Sequence, residues 1–388
     1  MSGRDADGDR AGPANAPLAG IRVLDLTGTM SGPFCTLLMA QLGAQVDKVE
    51  PPAGDIVRNL MRGRTAGMTP IFLALNAGKR SAVLDLSAPQ GRAQLIALFP
   101  RYDVIVHNMR PAAAARLGLT EDGLRSAGSN ALLCEIVGFG PGPYQDRPAY
   151  DDTIQAISGM AWLQGRNGQP EYVRSVVADK TAGLYAAVGV CAALAGRARG
   201  VPVRSVRVPM FETLVAYTML EQLGGLTFEP PEGPPLYPRA VSAHRRPFAT
   251  ADGYVAVMLY TDRHWVEFLT WLGRDDLLGD PKFTRTASRS LAIDEVYGFL
   301  AGVLAGRTTQ EWLEIFGELD VPATPVLSFA DLLHDPHLTS AGTIATEQHP
   351  TEGLLRRVRT PLAFNGEPPP ELAPAPRLGA DTEDVLGP

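Results

Sequence analysis

The fold of this chain is decided by its first strand-like segment, Ile21-Arg-Val-Leu-Asp-Leu26, and by the turn after it, Thr27-Gly-Thr-Met-Ser-Gly-Pro33. Apolar residues at helical spacing then run from Phe34 to Leu42. Gly43 ends this helix, and Val46 to Val49 reads as a second strand. A strand, a helix and a strand in this order form a βαβ unit, the seed of a parallel sheet.

The same alternation continues along the chain. Ser81 to Leu86 is strand-like, Gln90 to Phe99 is helix-like, and both Asp103 to Val106 and Leu132 to Val137 are apolar strand runs. Residues 179–195 are rich in Ala, Leu and Val without proline, which indicates a buried helix. The pattern predicts an α/β fold with an open, Rossmann-like parallel sheet and helices on both of its faces.

Composition suggests where the domains divide. Residues 1–17 lack an apolar run and are expected to form a disordered tail. A large α/β domain is expected over 18–224. Glycines and prolines at 224–238 indicate a linker, so 225–330 is predicted to be a smaller α+β domain, and 331–388 remains as a C-terminal segment.

Charge and composition exclude several classes of protein. The formal net charge of −7 disfavours nucleic acid as a partner. The three cysteines show no CxxC spacing, so neither a disulfide framework nor a zinc site is predicted. The N-terminus lacks the apolar core of a secretory signal, and no run of about 18 apolar residues predicts a membrane span. A cytoplasmic protein is expected.

Common nucleotide and metal motifs are absent from the sequence. No Gly-x-Gly-x-x-Gly follows the first strand, and the prolines of Gly138-Phe-Gly-Pro-Gly-Pro143 lack the N–H groups that a phosphate cradle needs. His334 and His337 flank a proline and have no third ligand at a recognisable spacing, so no metal site is predicted.

Asp179 allows two interpretations. It follows Val176-Val-Ala178 and stands where a helix starts, so its carboxylate could cap the free N–H groups of the first turn. A carboxylate flanked by small residues could equally be a nucleophile with room for a bulky thioester. The residue pattern alone leaves both open.

Ordered blocks along the chain resemble the family III CoA-transferases, the CaiB/BaiF family, which includes formyl-CoA transferase and carnitine CoA-transferase. The blocks span roughly residues 18–345 and include Gly20-Ile-Arg-Val-Leu-Asp-Leu26 with Ser31-Gly-Pro33, Leu42-Gly-Ala-Gln-Val-Asp-Lys-Val-Glu-Pro51, Asn76-Ala-Gly-Lys-Arg-Ser81, His107-Asn-Met-Arg-Pro111 with Arg116-Leu-Gly-Leu119, Tyr150-Asp-Asp-Thr-Ile-Gln-Ala156, Ala178-Asp-Lys-Thr-Ala-Gly183, Thr250-Ala-Asp-Gly-Tyr254 and Val321-Pro-Ala-Thr-Pro-Val326.

The resemblance implies a catalytic aspartate at Asp179 and CoA exchange between an acyl-CoA thioester and a free carboxylic acid through an aspartyl-CoA thioester. CoA is then a substrate, and no tightly bound cofactor or metal is expected. The residues expected at the CoA site are Thr29, Met30, Ser31, Lys79, Arg80, Asn108, Met109 and Arg116. Pro51 stands where formyl-CoA transferase has an arginine, so that contact is absent or replaced.

Two other functions fit the same fold. The α-methylacyl-CoA racemases carry a histidine directly before the aspartate of the Tyr150 block, whereas this chain has Tyr150 before Asp151. A phenol that titrates near 10 is a poor base at neutral pH, which favours transfer over racemisation. A CoA-binding protein without turnover is the other alternative, and the presence of Asp179 argues against it.

The resemblance also implies an architecture. Relatives build the large domain from both chain ends, and two subunits interlock as a homodimer, which is expected here. Dicarboxylates are common substrates among relatives, so succinyl-CoA is a first donor to test. Arg245 and Arg246 are candidates for binding the far carboxylate of such an acid.

Overall fold

The computed structural model describes residues 16–165 and 168–387, so most of the expected tail lies outside the described residues. Two compact units are formed, one by the described parts of Met1–Thr218 and Ser340–Pro388, the other by Met219–Thr339. Composition alone places boundaries at 224 and 330. Both differ from the structural boundaries, which follow Thr218 and Thr339. The first differs because glycine and proline mark the linker after a helix, whereas the packing changes within that helix.

A six-stranded parallel sheet forms the centre of the first unit. Its spatial order is β3-β2-β1-β4-β5-β6, and every neighbouring pair is parallel. The order reverses between β1 and β4, as in doubly wound sheets. The predicted α/β, Rossmann-like fold is confirmed. The strand bounds are β1 (Arg22–Leu26), β2 (Gln45–Glu50), β3 (Lys79–Val83), β4 (Val104–His107), β5 (Leu132–Val137) and β6 (Ser205–Pro209).

Helices cover both faces of this sheet because successive strand residues point to opposite sides. Val23 packs with Cys35 and Ala186 on one face, whereas Leu24 packs with Leu95 on the other. The last helix begins in this unit and ends beyond Thr218. The helices are α1 (Ser31–Gln41), α2 (Pro70–Leu75), α3 (Pro89–Leu98), α4 (Pro111–Arg116), α5 (Glu121–Ser126), α6 (Asp151–Ile157), α7 (Met160–Gln164), α8 (Val177–Ala198) and α9 (Met210–Gln222).

The second unit combines a small antiparallel sheet with helices. Its sheet has the order β7-β8-β9, and its core is an aromatic cluster of Trp265, Phe268, Trp312 and Phe316. The strands are β7 (Phe248–Ala249), β8 (Tyr254–Val257) and β9 (Ala323–Pro325). The helices are α10 (Asp262–Leu272), α11 (Asp275–Leu278), α12 (Pro281–Thr284), α13 (Thr286–Leu291), α14 (Ile293–Leu304), α15 (Thr309–Glu318), α16 (Phe329–Leu332) and α17 (Pro336–Ser340).

The C-terminal segment belongs to the first unit. It contains an antiparallel hairpin and a short helix, β10 (Ile344–His349), β11 (Gly353–Val358) and α18 (Thr382–Leu386). At the edge strand β3, the N–H of Ser81 donates to the Asp381 carboxylate (2.9 Å) and the N–H of Val83 donates to the Thr382 hydroxyl (3.1 Å). The end of the chain therefore satisfies donors that an open sheet edge would leave exposed.

Candidate active site

The turn after β1 is held in shape by buried charged groups. Thr27 donates to Asp25 through both its N–H and its hydroxyl, and Lys48 donates to the Thr27 carbonyl oxygen (2.7 Å). The next turn residue, Thr29, has a φ of 68°, which is costly for a β-branched residue. Its N–H donates to Asp55 Oδ1 (3.0 Å), and this bond helps to hold the strained backbone in place.

Asn108 fixes the same turn from the neighbouring strand. It follows β4, and β4 lies beside β1 in the sheet. Its side-chain amide donates to the Gly28 carbonyl oxygen (2.8 Å) and accepts the Gly28 N–H (3.1 Å). The carboxyl ends of two parallel strands are thereby joined, which is where open α/β sheets bind ligands.

Lys79 belongs to the buried network beneath the turn and not to a binding surface. Its ammonium group donates to Asp25, Asn76 and the Pro33 carbonyl oxygen, each at 3.0 Å, and its side chain has no exposed surface. Burial lowers the pKa of Lys79 to about 8, although Asp25 opposes this shift. Because these acceptors already surround the ammonium group, the structure gives no support for the expected contact of Lys79 with CoA phosphates.

Three other residues expected at the CoA site also lie apart from the cavity described below. Arg80 forms a two-pronged ion pair with Asp47 (2.6 and 2.8 Å), and Arg116 is exposed at the end of α4. Met30 is the residue before α1 and packs against an apolar cluster that contains Phe72.

Asp179 lies in the first turn of α8, the helix that packs against the sheet. The helix begins at Val177, and the residue in the capping position is Val176, which makes no side-chain cap. Asp179 is therefore not the N-cap, and the interpretation of its carboxylate as a helix cap is wrong. Its side chain is left available for chemistry.

The Asp179 carboxyl group is mostly buried between α1 and α6. Its own N–H donates to Asp151 Oδ1 (2.9 Å), which brings a second carboxylate close. The hydroxyl and the backbone N–H of Ser31, the first residue of α1, face the Asp179 carboxylate and favour its ionised form. Burial, and next the negative charge of Asp151, raise the pKa of Asp179 from 3.8 to about 6 against the effect of Ser31.

Asp179 opens onto a cavity of about 380 Å³ at the carboxyl edge of the sheet. Five of the predicted site residues lie together in its wall, namely Thr29, Ser31, Asn108, Met109 and Asp179. Tyr150, which distinguishes this chain from the racemases, also lines the cavity, and residues not singled out from the sequence complete it, among them Arg110, Gln145 and Arg147. Arg110 lies inside the His107-Asn-Met-Arg-Pro111 block, so the sequence pattern could have indicated it. Arg147 lies in a loop without periodicity, and no sequence pattern indicates it.

Within residues 16–165 and 168–387, no group of three or more His, Cys, Asp or Glu side chains is placed to hold a metal ion. His334 and His337 are exposed on either side of Pro336. Asp179 and Asp151 form a pair of carboxylates without a third ligand. The predicted absence of a metal stays a prediction.

One described helix, α8, has the length and apolar composition of a membrane span. Its buried residues pack with those of α1 and the central strands in the core of the first unit. Core helices of this kind meet the same criterion, so the feature is weak support for a membrane location.

The sequence profile of CoA-transferase family III matches residues 18–382. The chain belongs to this family. It is a CoA-transferase, and CoA thioesters are the substrates of the family. The resemblance carried by the ordered sequence blocks is confirmed.

Named relatives span nearly the whole chain. A formyl-CoA:oxalate CoA-transferase of Bradyrhizobium sp. (strain ORS 278) is 29% identical over 95% of this chain and 92% of its own length. A protein of Mycobacterium tuberculosis named as a probable fatty acyl-CoA transferase, Rv3272, is 30% identical over 91% of this chain and 95% of its own length.

Solved structures of the family share the fold. The crystal structure of an aspartate-to-alanine mutant of Rv3272 superposes with a TM-score of 0.83 at 28% identity, covering 96% of this chain and 99% of that one. A CaiB/BaiF family protein from Brucella suis gives a TM-score of 0.79 at 25% identity, covering 96% and 98%.

Proposed function

We propose that this CoA-transferase exchanges CoA between an acyl-CoA and a free carboxylic acid through a thioester on Asp179. The observation that carries the proposal is a mostly buried carboxyl group, with a pKa raised to about 6, that opens onto a 380 Å³ cavity at the ligand-binding edge of the sheet. At neutral pH this group is mainly ionised, yet it is more basic and more nucleophilic than an ordinary carboxylate.

The exchange takes four balanced steps. An Asp179 oxygen attacks the thioester carbonyl carbon, the C–S bond breaks, and a mixed anhydride and CoA thiolate form. The thiolate attacks the Asp179 acyl carbon and releases the donor carboxylate, which leaves aspartyl-CoA. The acceptor carboxylate attacks aspartyl-CoA to give a second anhydride and the thiolate. The thiolate then attacks the acceptor acyl carbon and frees Asp179. Retained CoA makes each return attack effectively intramolecular.

Ser31 is the proposed donor for the charge that develops during these steps. Its N–H and hydroxyl already face the Asp179 carboxylate. When the thiolate attacks the Asp179 acyl carbon, negative charge grows on the remaining carboxyl oxygen. A fixed N–H at the start of α1 stabilises that oxygen without reorganisation, as oxyanion-hole donors do.

For CoA, we propose that the turn at Thr29 and the side chains of Asn108 and Met109 form the wall against which this substrate lies. Arg110 and Arg147 line the same cavity with exposed side chains. One guanidinium group can donate two parallel hydrogen bonds to the oxygens of a phosphate. These two arginines therefore replace Lys79, Arg80 and Arg116 as the proposed phosphate partners.

The acid pair is proposed at the level of its class. The relatives are named for formyl, oxalate and fatty acyl groups, so short acids, dicarboxylates and fatty acids form the panel to test, with succinyl-CoA among the donors. Arg245 and Arg246 are exposed in the second unit, and their role toward a far carboxylate stays a prediction.

A homodimer is proposed on the exposed apolar surface of α8. Leu184, Tyr185 and Val188 are 48%, 49% and 67% exposed on this helix, and Tyr217 on α9 is 54% exposed. Exposed apolar side chains that adjoin one another, as the three on α8 do by their spacing, are typical of a protein interface. The interlocked form of relatives is the arrangement expected.

The deciding experiment is intact-protein mass spectrometry after mixing the protein with formyl-, oxalyl-, succinyl- and fatty acyl-CoA. A CoA-sized or acyl adduct is expected on the wild type and on Asp152→Asn, an exposed neighbour control, but not on Asp179→Ala. The absence of any adduct, with deuterium uptake from heavy water at the α-carbon of a 2-methylacyl-CoA, would instead establish racemisation. Among the described lining residues of the cavity there is no histidine to serve that reaction.

A further inference from the structure

Gln155 is a fully buried glutamine one helical turn after Asp151 on α6. Its side-chain N–H donates to Asp151 Oδ2 at 2.6 Å. An uncharged amide buried this deeply needs partners for both of its ends. Its partners show what the residue does.

The orientation of the Gln155 amide is set by the chain segment that leads into α8. Its carbonyl oxygen accepts the N–H of Val173 (2.9 Å), and its N–H₂ group faces the carbonyl oxygens of Val173 (3.5 Å) and Ser175 (3.3 Å). If the Gln155 amide were flipped, its N–H₂ group would face the N–H of Val173, and its oxygen would face the carbonyl oxygens of Val173 and Ser175. The N–H₂ group is therefore held toward Asp151.

Both oxygens of Asp151 consequently meet N–H donors. The amide of Asp179 donates to Oδ1 and Gln155 donates to Oδ2. The two hydrogen bonds hold the Asp151 carboxyl group in one orientation next to the first turn of α8.

We propose that Gln155 is a positioning residue that holds the Asp151 carboxyl group against the backbone of Asp179, so that the negative charge of Asp151 lies beside the nucleophile. This inference rests on the proposed role of Asp179 as nucleophile and explains what keeps a second carboxyl group next to it. The fixed charge of Asp151 then makes Asp179 more basic.

The other charged and polar groups near Asp179 do not raise its pKa. Arg110 and Arg147 line the same cavity, and positive charges favour an ionised carboxylate. Lys180, the next residue on α8, donates to the Ser175 hydroxyl (3.0 Å). Ser31, from α1, stabilises the charged form of Asp179. Of these groups, only Asp151 opposes its ionisation.

The test is a titration of Asp179 by carbon-13 NMR on protein labelled at the aspartate side-chain carboxyl carbon. The resonance missing from Asp179→Asn identifies the residue, and a midpoint near pH 6 is expected in the wild type. In Gln155→Met, the Asp151 carboxyl group loses the donor that holds it beside Asp179 and can turn away. The Asp179 midpoint should then fall by about one pH unit, because the negative charge that disfavours its ionised form has moved.

Two further variants make the outcome decisive. Gln155→Asn keeps the amide but is one methylene too short to reach Asp151, so it should lower the midpoint in the same way even if the methionine variant folds poorly. Gln41→Met removes a buried glutamine at the far end of α1 and should leave the midpoint unchanged.

An Asp179 midpoint in both Gln155 variants equal to that of the wild type and of Gln41→Met would overturn the inference. Because the titration needs no substrate, its result is independent of the transfer assay. Adduct formation that fails in the wild type while the midpoints shift as expected would refute the proposed function and leave the positioning role of Gln155 intact.

Discussion

Gly183 on α8 stands directly against the backbone of Ser31. A Cβ atom at this position would lie 2.7 Å from the Ser31 carbonyl oxygen, closer than real Cβ atoms come. The absent side chain lets α1 approach α8 one turn after Asp179. The donors of Ser31 reach the nucleophile because of this close approach.

Replacement of Gly183 by alanine should therefore separate the two helices. We expect Gly183→Ala to lower the free energy of unfolding by about 1–3 kcal/mol, the usual cost of overpacking, and to reduce formation of the Asp179 adduct at least tenfold. Chemical denaturation and adduct mass spectrometry measure the two effects. Gly196→Ala on the same helix is the control: its nearest neighbours are 3.7 Å away, and it should be stabilising by up to about 1 kcal/mol. Equal behaviour of the two variants would refute the close-approach argument.

The raised pKa of Asp179 should lower the free energy of unfolding at neutral pH. Its pKa is about 6 in the folded protein against an ordinary value of 3.8, so ionisation favours the unfolded chain. The penalty is absent below about pH 4, grows between the two values and reaches about 3 kcal/mol above pH 6. Asp179→Asn should accordingly unfold at a higher temperature than the wild type at pH 8. The difference should disappear near pH 4, and a pH-independent difference would contradict the raised pKa.

The same pKa predicts the acid limb of the reaction. Only ionised Asp179 is a nucleophile, so the rate of adduct formation should rise with pH and level off above a midpoint near 6. Single-turnover measurements with the donor that labels Asp179 would show this limb. A rate that is flat between pH 5 and 7 would exclude Asp179 as the titrating nucleophile.

Lys79 and Arg147 should behave in opposite ways. Lys79→Met leaves Asp25 buried without its ion-pair partner and should destabilise the fold by about 3–5 kcal/mol. Arg147→Ala alters an exposed side chain and should leave unfolding nearly unchanged while CoA binding weakens about tenfold. Denaturation and calorimetric titration with CoA separate the two. Intact stability with lost CoA affinity in Lys79→Met would restore the original expectation for that residue.

Val188 tests the proposed dimer surface. Val188→Glu places a charge on the most exposed of the three α8 positions and should raise the monomer fraction seen by light scattering after gel filtration. Ala192→Glu changes an exposed position one turn further along the helix. It serves as the comparison and should raise the monomer fraction less. A wild type that is monomeric at micromolar concentration would remove the proposal.

The sheet could be predicted because its signals are local. Alternating apolar strands and helices mark each βαβ unit, and β5 was predicted with its observed bounds. The third strand was predicted to reach Leu86 but ends at Val83. Asp85 accepts the N–H of Ser87 (2.9 Å) in a side-chain turn, and this turn begins the connection to α3.

The site could be predicted only in part because its charges pair over long distances. Lys79 meets Asp25 from 54 residues away, and Arg80 meets Asp47 from 33 residues away. A motif gives the identity of such a cation but not whether an acid already neutralises it. Arg147 was not predicted because its loop has no periodicity from which the direction of its side chain could be inferred.

The contacts of Ser81 with Asp381 have a consequence for synthesis of the chain. The partner of this edge strand is translated 300 residues later. While the polypeptide emerges from the ribosome, the sheet can assemble strand by strand, but the donors of β3 stay without their side-chain acceptors until residues 381 and 382 have been translated. Until then the nascent chain carries an open strand edge that can pair with other chains, and truncation before residue 381 would leave this edge open.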